Sequence, residues 1–219
     1  MRNMLTVALV LSVLGCRSYQ YGHVVKDNQP SMVGSHSAGS EVYDPLVDEA
    51  VAKLLGACGS PMSLEISPEG FPVARQVCFV GIENKSAEEL ADFKDQLYEQ
   101  IDTQINRSQS FRAISRHMVD VALHETRLRP DSLFIPANRQ LFADVLQQQG
   151  SPVDYLLYAT LTSGTTERNS SSQRDYTLTL ELVDTRSGEF TKEQAFIRKG
   201  YHRSPLGRLA NYNPFTVWR

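Results

Sequence analysis

The 219-residue chain lacks the short motifs by which most catalysis is recognised. It has no G-x-x-x-x-G-K-[ST] loop, no G-x-S-x-G elbow, no H-E-x-x-H and no C-x-x-C. Phosphate cradling, serine hydrolysis, zinc proteolysis and dithiol exchange therefore have no support. Cysteine is scarce at three residues, too few for a structural zinc pattern. Beyond residue 14 no apolar run reaches membrane-spanning length. Charge of one sign is not in excess: the formal net charge is −3, which argues against a strongly charged partner such as nucleic acid. With 41% hydrophobic and 21% charged residues, the composition is that of a folded globular protein.

What is present begins at the amino terminus. Arg2 precedes an apolar run at residues 4–14 that ends in Val13-Leu14-Gly15-Cys16. The run is too short to span a bilayer, and a charged start, apolar middle and small residue make an export signal over residues 1–15. A cysteine directly after the small residue is a lipobox, so Cys16 is the expected lipidation site. Several acyl chains on one terminus meet the two-signal requirement for stable anchoring. Residues 16–42, polar and rich in Ser and Gly with Pro30 the single proline, read as a flexible tether. Its r.m.s. reach is roughly 25–30 Å, against about 90 Å fully extended. Setting Cys16 aside leaves two cysteines, for which two readings stay open. A Cys58–Cys78 disulfide would close a loop worth about 3 kcal/mol in an oxidising compartment. Alternatively, Cys78 is a buried small hydrophobe within Val77-Cys78-Phe79-Val80.

From Asp44-Pro45 onward the pattern becomes that of packed structure. Asp44 suits an N-cap and Pro45 a first helical position; Leu46, Val47, Ala50, Val51, Leu54 and Leu55 form one stripe, with Gly56 as the stop. Residues 76–82 read as a strand buried on both faces. Ser86 and Glu89 make a capping box for a helix with the stripe Leu90, Phe93, Leu97, Ile101 and Ile105. A second strand at 111–115, a helix at 118–125 and a helix at 138–149 burying Leu141, Phe142, Val145 and Leu146 follow. Strands at 153–161, 176–183 and 190–197 complete the chain, with a turn at Arg186-Ser187-Gly188 and a mobile polar hairpin loop over 165–174. This order predicts an α/β fold, a two-layer mixed sheet of about five strands packed with helices, its first strand–helix–strand unit a right-handed crossover.

Candidate sites are few. His117, Asp120 and His124 fall at one helical face and are metal-compatible, but no fourth ligand suggests itself, so the expectation is no metal and no cofactor. Carboxylate pairs such as Glu88-Glu89 fall at helix starts, where dipole compensation explains them. The carboxy-terminal stretch 199–219 is basic and aromatic: Tyr201, Arg203, Arg208, Tyr212, Phe215 and Trp218 are of the types that dominate binding hot spots. Residues 198–219 hold five basic residues and no acid, leaving 17 basic against 25 acidic elsewhere. The tail is therefore a candidate partner-docking segment, or one that packs on its own acidic domain.

One ordered set of segments resembles a known family. It comprises Pro45-Leu46-Val47 with Leu54-Leu55-Gly56, then Gly81-Ile82-Glu83-Asn84-Lys85-Ser86, Asp131-Ser132-Leu133 and Gly150. It continues with Val153-Asp154-Tyr155-Leu156-Leu157-Tyr158 and closes with Leu180-Glu181-Leu182-Val183-Asp184-Thr185-Arg186-Ser187-Gly188-Glu189. Over residues 43–198 these resemble the LpoB family, lipoprotein activators of peptidoglycan synthases. The resemblance implies a non-catalytic outer-membrane lipoprotein facing the periplasm, with a fold similar to the TolB N-terminal domain. It implies a class A, bifunctional penicillin-binding protein as partner, the membrane through the lipid anchor, and no small-molecule substrate. Arg17 after the cysteine favours the outer membrane. The short tether and the basic tail depart from the family pattern, so no partner-binding residue is carried over. Alternative readings are a secretion or structural lipoprotein similar to the curli channel, an envelope enzyme, or another periplasmic binding module. A channel would need long alternating strands, for which 176–183 is too short.

Overall fold

In a computed structural model, residues 38–58, 74–108, 110–168 and 171–202 are described. The elements run α1 (Ser40–Cys58), β1 (Arg75–Lys85), α2 (Phe93–Arg107), β2 (Phe111–Ala113), α3 (Arg116–Thr126), a 3-10 turn (Pro130–Phe134), α4 (Pro136–Gln148), β3 (Tyr155–Arg168), β4 (Ser171–Asp184) and β5 (Phe190–His202). The five strands form one mixed sheet in the order β2-β1-β3-β4-β5. β1 lies parallel to both β2 and β3, and the β3–β4–β5 meander is antiparallel. Among the described residues no helix is long and apolar enough to cross a membrane.

Each face of the sheet has its own core, because strand side chains alternate. Toward α1 and α2 point Val77, Phe79, Leu157, Ala159, Leu161, Tyr176, Leu178, Leu180, Leu182 and Ala195. Toward α3, the 3-10 turn and α4 point Cys78, Val80, Leu156 and Val183, which meet Val119, Ala122, Leu133, Phe142 and Leu146. Leu46, Leu133, Leu146 and Leu157 are fully buried, so truncating any one to Ala removes about 2–5 kcal/mol. A bulge between Phe79 and Gly81 shifts the β1–β3 register. The shift returns Ile82 to the α1 face after Phe79 and turns Glu83 outward.

Several elements differ from the sequence-based expectation. Helix α1 starts at Ser40 rather than at Pro45, which lies inside it. The Gly39 carbonyl receives the amides of Val42 and Tyr43, and both side chains are buried. That apolar extra turn outweighs the one amide bond that Pro45 cannot make near the helix start. Gly56 does not stop the helix, which continues to Cys58. Ser86 does not cap α2: its hydroxyl is spent on Asn84 Oδ1 and the Glu88 carbonyl, and the helix begins at Phe93. In α4, Leu141 is exposed and Arg139 is buried instead. The expected loop at 165–174 is strand almost throughout, paired from Tyr155↔Asp184 to Arg168↔Ser171. Thr and Ser suit this outlying ladder, because its backbone bonds need no apolar face. Finally, β5 runs to His202, so residues 199–202 belong to the sheet rather than to a tail.

Candidate functional site

The two faces of the sheet are covered unequally. Helices α1 and α2 cover one face across to β5, whereas on the other face α3, the 3-10 turn and α4 pack over β1 and the start of β3. The uncovered remainder is a groove of about 890 Å³. Its floor includes Val80, Tyr158, Thr160, Thr162, Thr179 and Glu181; Tyr98 and Arg116 form one wall, and Arg129 to Asp131 with Phe134 the other.

Two aromatic arrangements give this groove its chemistry. Phe134, held by the 3-10 turn between Pro130 and Pro136, stacks on Tyr158 at 4.5 Å and 22° yet is 51% exposed. Tyr158 Oη is buried and has no hydrogen-bond partner. Burial, helped by nearby Cys78 and Glu181 and opposed by Arg139, holds its pKa well above the usual phenol value, so the hydroxyl remains a proton donor. On the opposite wall Tyr98 donates to the Phe79 carbonyl at 2.6 Å and stacks on the Phe79 ring at 4.2 Å. The Arg116 guanidinium covers the Tyr98 ring at 4.2 Å, a cation–π contact, and lies 3.4 Å from Asp95. The rim alternates in sign, with Lys85–Glu83 at 2.9 Å, Arg129–Asp131 at 3.5 Å and Lys192–Glu181 at 3.4 Å.

Among the described residues no group of three His, Cys, Asp or Glu side chains is placed to hold a metal ion. An exposed ring and a rim of paired charges suit the docking of another macromolecule. The helical layer beside the groove carries further exposed apolar residues, Val121, Ile135 and Leu141.

The sites read from sequence fall elsewhere. Cys16, Arg203, Arg208, Tyr212, Phe215 and Trp218 lie outside the described residues. Tyr201 is in β5, half-buried, its hydroxyl 3.4 Å from that of Tyr176. Cys58 and Cys78 are both free thiols, which corrects the disulfide reading. Cys58 packs with the α1 face and Cys78 with the α4 face, so the sheet itself stands between them. His117, Asp120 and His124 are exposed on α3, with Asp120 turned 3.8 Å from Arg116. Phe134 and Tyr158 were missed as a pair because 24 residues separate them. The usable signal was Phe134-Ile135 between two prolines, an apolar pair where a turn is expected to be polar.

No curated protein matches this chain by sequence. Among solved structures it is similar to the LpoB C-terminal domain from Escherichia coli at 17% identity, with a TM-score of 0.44, covering 71% of this chain and 97% of that one. The LpoB C-terminal domain from Salmonella enterica is similar at 14% identity and a TM-score of 0.43, with the same coverage of 71% and 97%. Lipoprotein GNA1162 from Neisseria meningitidis is similar at 19% identity and a TM-score of 0.40, covering 62% of this chain and 90% of that one. The family model described as peptidoglycan-synthase activator LpoB matches residues 54–193, well over half of the chain, and the chain therefore belongs to the LpoB family.

Proposed function

We propose that this chain is a non-catalytic envelope lipoprotein that binds a bifunctional class A penicillin-binding protein and raises its activity. The observation that carries the reading is the family match over residues 54–193, nearly the whole described domain. The groove supports it from the other direction, because the half-exposed Phe134 ring and the paired charges of its rim are groups that can dock a protein. In this reading residues 1–15 are an export signal and Cys16 carries the lipid. Residues 16–42 are the tether, the globular domain follows from about residue 43, and the chain faces the periplasm from the outer membrane. Phe134, Tyr158 and Arg116 form the docking surface, and the basic segment after β5 adds long-range attraction to it. With an r.m.s. reach of roughly 25–30 Å, the tether calls for a narrower gap or a partner that projects toward the outer membrane.

A reconstituted assay tests this directly. A purified class A synthase, given its lipid-linked disaccharide substrate, is expected to polymerise faster when this protein is added. Without the synthase the protein should leave the substrate untouched. Turnover by the protein alone, or no effect on the synthase and no complex with it, would remove the proposal.

A further inference from the structure

We propose that two copies of this chain pair through β5, antiparallel about Phe196, to join their sheets into one of ten strands. Among the described residues β5 ends the sheet; it is 13 residues long, contains no proline and pairs with β4 without a bulge from Val183↔Phe190 to Ser171↔His202. Long, regular edges of this kind recruit another strand unless they are blunted. Phe190 and Phe196 stand 62% and 58% exposed on it.

The backbone phase decides which groups are available. Lys53 of α1 reaches the Gln194 carbonyl at 3.0 Å, which places that carbonyl on the side of β5 away from β4. Even-numbered residues therefore present both amide and carbonyl to the open edge, and their side chains lie on the groove face. A two-fold pairing centred on Phe196 then gives hydrogen-bonded pairs at 196 with 196, 194 with 198 and 192 with 200.

The side chains select that register over its neighbours. Centred on Phe196, the groove face sets Phe196 on Phe196, Gln194 on Arg198 and Lys192 on Gly200. The opposite face sets Glu193 against Lys199, already held 2.6 Å from Glu41, and Ala195 against Ile197. Centring on Ala195 instead would oppose Lys192 to Arg198, and centring on Ile197 would leave Glu193 facing Tyr201 and Lys199 facing Ala195. Like charges opposite each other destabilise a strand pair, whereas aromatic and opposite-charge pairs stabilise it. The symmetric contact is isologous and closes at two copies.

The full chain carrying Cys16→Ser, purified in mild detergent so that no acyl group drives association, provides the test. Light scattering should find a concentration-dependent dimer, and Phe196→Glu, which sets two carboxylates face to face on an exposed position, should weaken it about five-fold. Circular dichroism should be unchanged in that variant. Phe196→Cys should form a disulfide-linked dimer mapped to the 196–196 peptide, while Lys192→Cys, whose two copies lie eight residues apart in register, should not. A chain that stays monomeric at roughly 100 µM, where a Kd of about 10 µM would leave most of it dimeric, would overturn the pairing. So would a dimer indifferent to Phe196→Glu, or one that cross-links equally at positions 192 and 196.

Discussion

The hydroxyl of Tyr176 donates to the Glu88 carboxylate at 2.6 Å across 88 residues of chain. The same carboxylate accepts the Ala38 amide at 2.6 Å and pairs with Arg174. Glu88 thus ties the start of the described domain to the long β3–β4 hairpin. Lys199 and Glu41, which like Glu88 lies near Tyr43, join β5 to α1 in the same way, at 2.6 Å. The segment leading into the domain and the strand leading out of it are secured at one place.

The pH dependence of stability should carry the signature of this carboxylate. Burial raises the Glu88 pKa, but the bonds from Tyr176, Ala38 and Arg174 together lower it below its ordinary 4.5. A group depressed in the folded state contributes stability above its unfolded pKa and loses it as pH falls through the folded value. Melting temperature should therefore drop below about pH 4.5. Glu88→Gln should cost about 1–3 kcal/mol at pH 7 in urea denaturation and flatten the acid limb.

Tyr158→Phe should separate stability from binding. Its hydroxyl is buried without a partner, so deleting it removes an uncompensated polar group and should leave the melting temperature equal or higher. Because the hydroxyl is out of reach of a docked partner, affinity for the synthase should stay unchanged. A loss of stability, measured by calorimetry, would contradict the geometry.

Phe134→Ala should do the reverse of a core mutation. The ring is half exposed and stacked on one side only, so the folded state should lose about 1 kcal/mol. Binding to the synthase should weaken ten-fold or more, about 1.4 kcal/mol, as expected of an aromatic anchor. Surface plasmon resonance beside a thermal melt distinguishes the two effects.

Gly188→Ala should destabilise the domain although it adds one methyl group. Gly188 has φ of +77°, and a Cβ there would lie 2.8 Å from Arg139 Nη2. Arg139 is itself buried and donates to the Thr185 carbonyl at 3.1 Å. Backbone strain together with displacement of that guanidinium should cost about 1–3 kcal/mol, read by denaturant titration.

The two thiols should react very differently. Cys78 is fully buried, and burial together with Asp120 pushes its pKa far up; Cys58 is half-buried with a smaller upward shift, also from burial. Alkylation under native conditions, followed by intact mass, should label Cys58 first and Cys78 only on unfolding. Mild oxidation should yield no 58–78 link.

Legibility followed the range of the interactions. The stripe of Leu97, Ile101 and Ile105 and the alternation of Tyr176, Leu178, Leu180 and Leu182 are local patterns with the periods of helix and strand. Each appears in the core as expected. Pro45 and Ser86 misled because their usual roles as helix start and cap are also local, and here longer-range demands won. Val42 and Tyr43 had apolar surface to bury, and the Ser86 hydroxyl was already bound beside Glu88. The polar stretch 165–174 carries no hydrophobic period, so nothing in it announced a strand; it is strand because it continues the β3–β4 and β4–β5 ladders.

Most element types, their order, much of the apolar core and the membership of the LpoB family were contained in the residue string, since each rests on periodicities and short segments that survive without coordinates. Tertiary structure alone decided that Cys58 and Cys78 face away from each other, that Phe134 lies on Tyr158, and that β5 is the last strand of the sheet among the described residues. Those facts depend on which side of a strand a residue takes and on which strand ends the sheet. A period of two fixes alternation along a strand but leaves its phase and its neighbours to the packing of the whole.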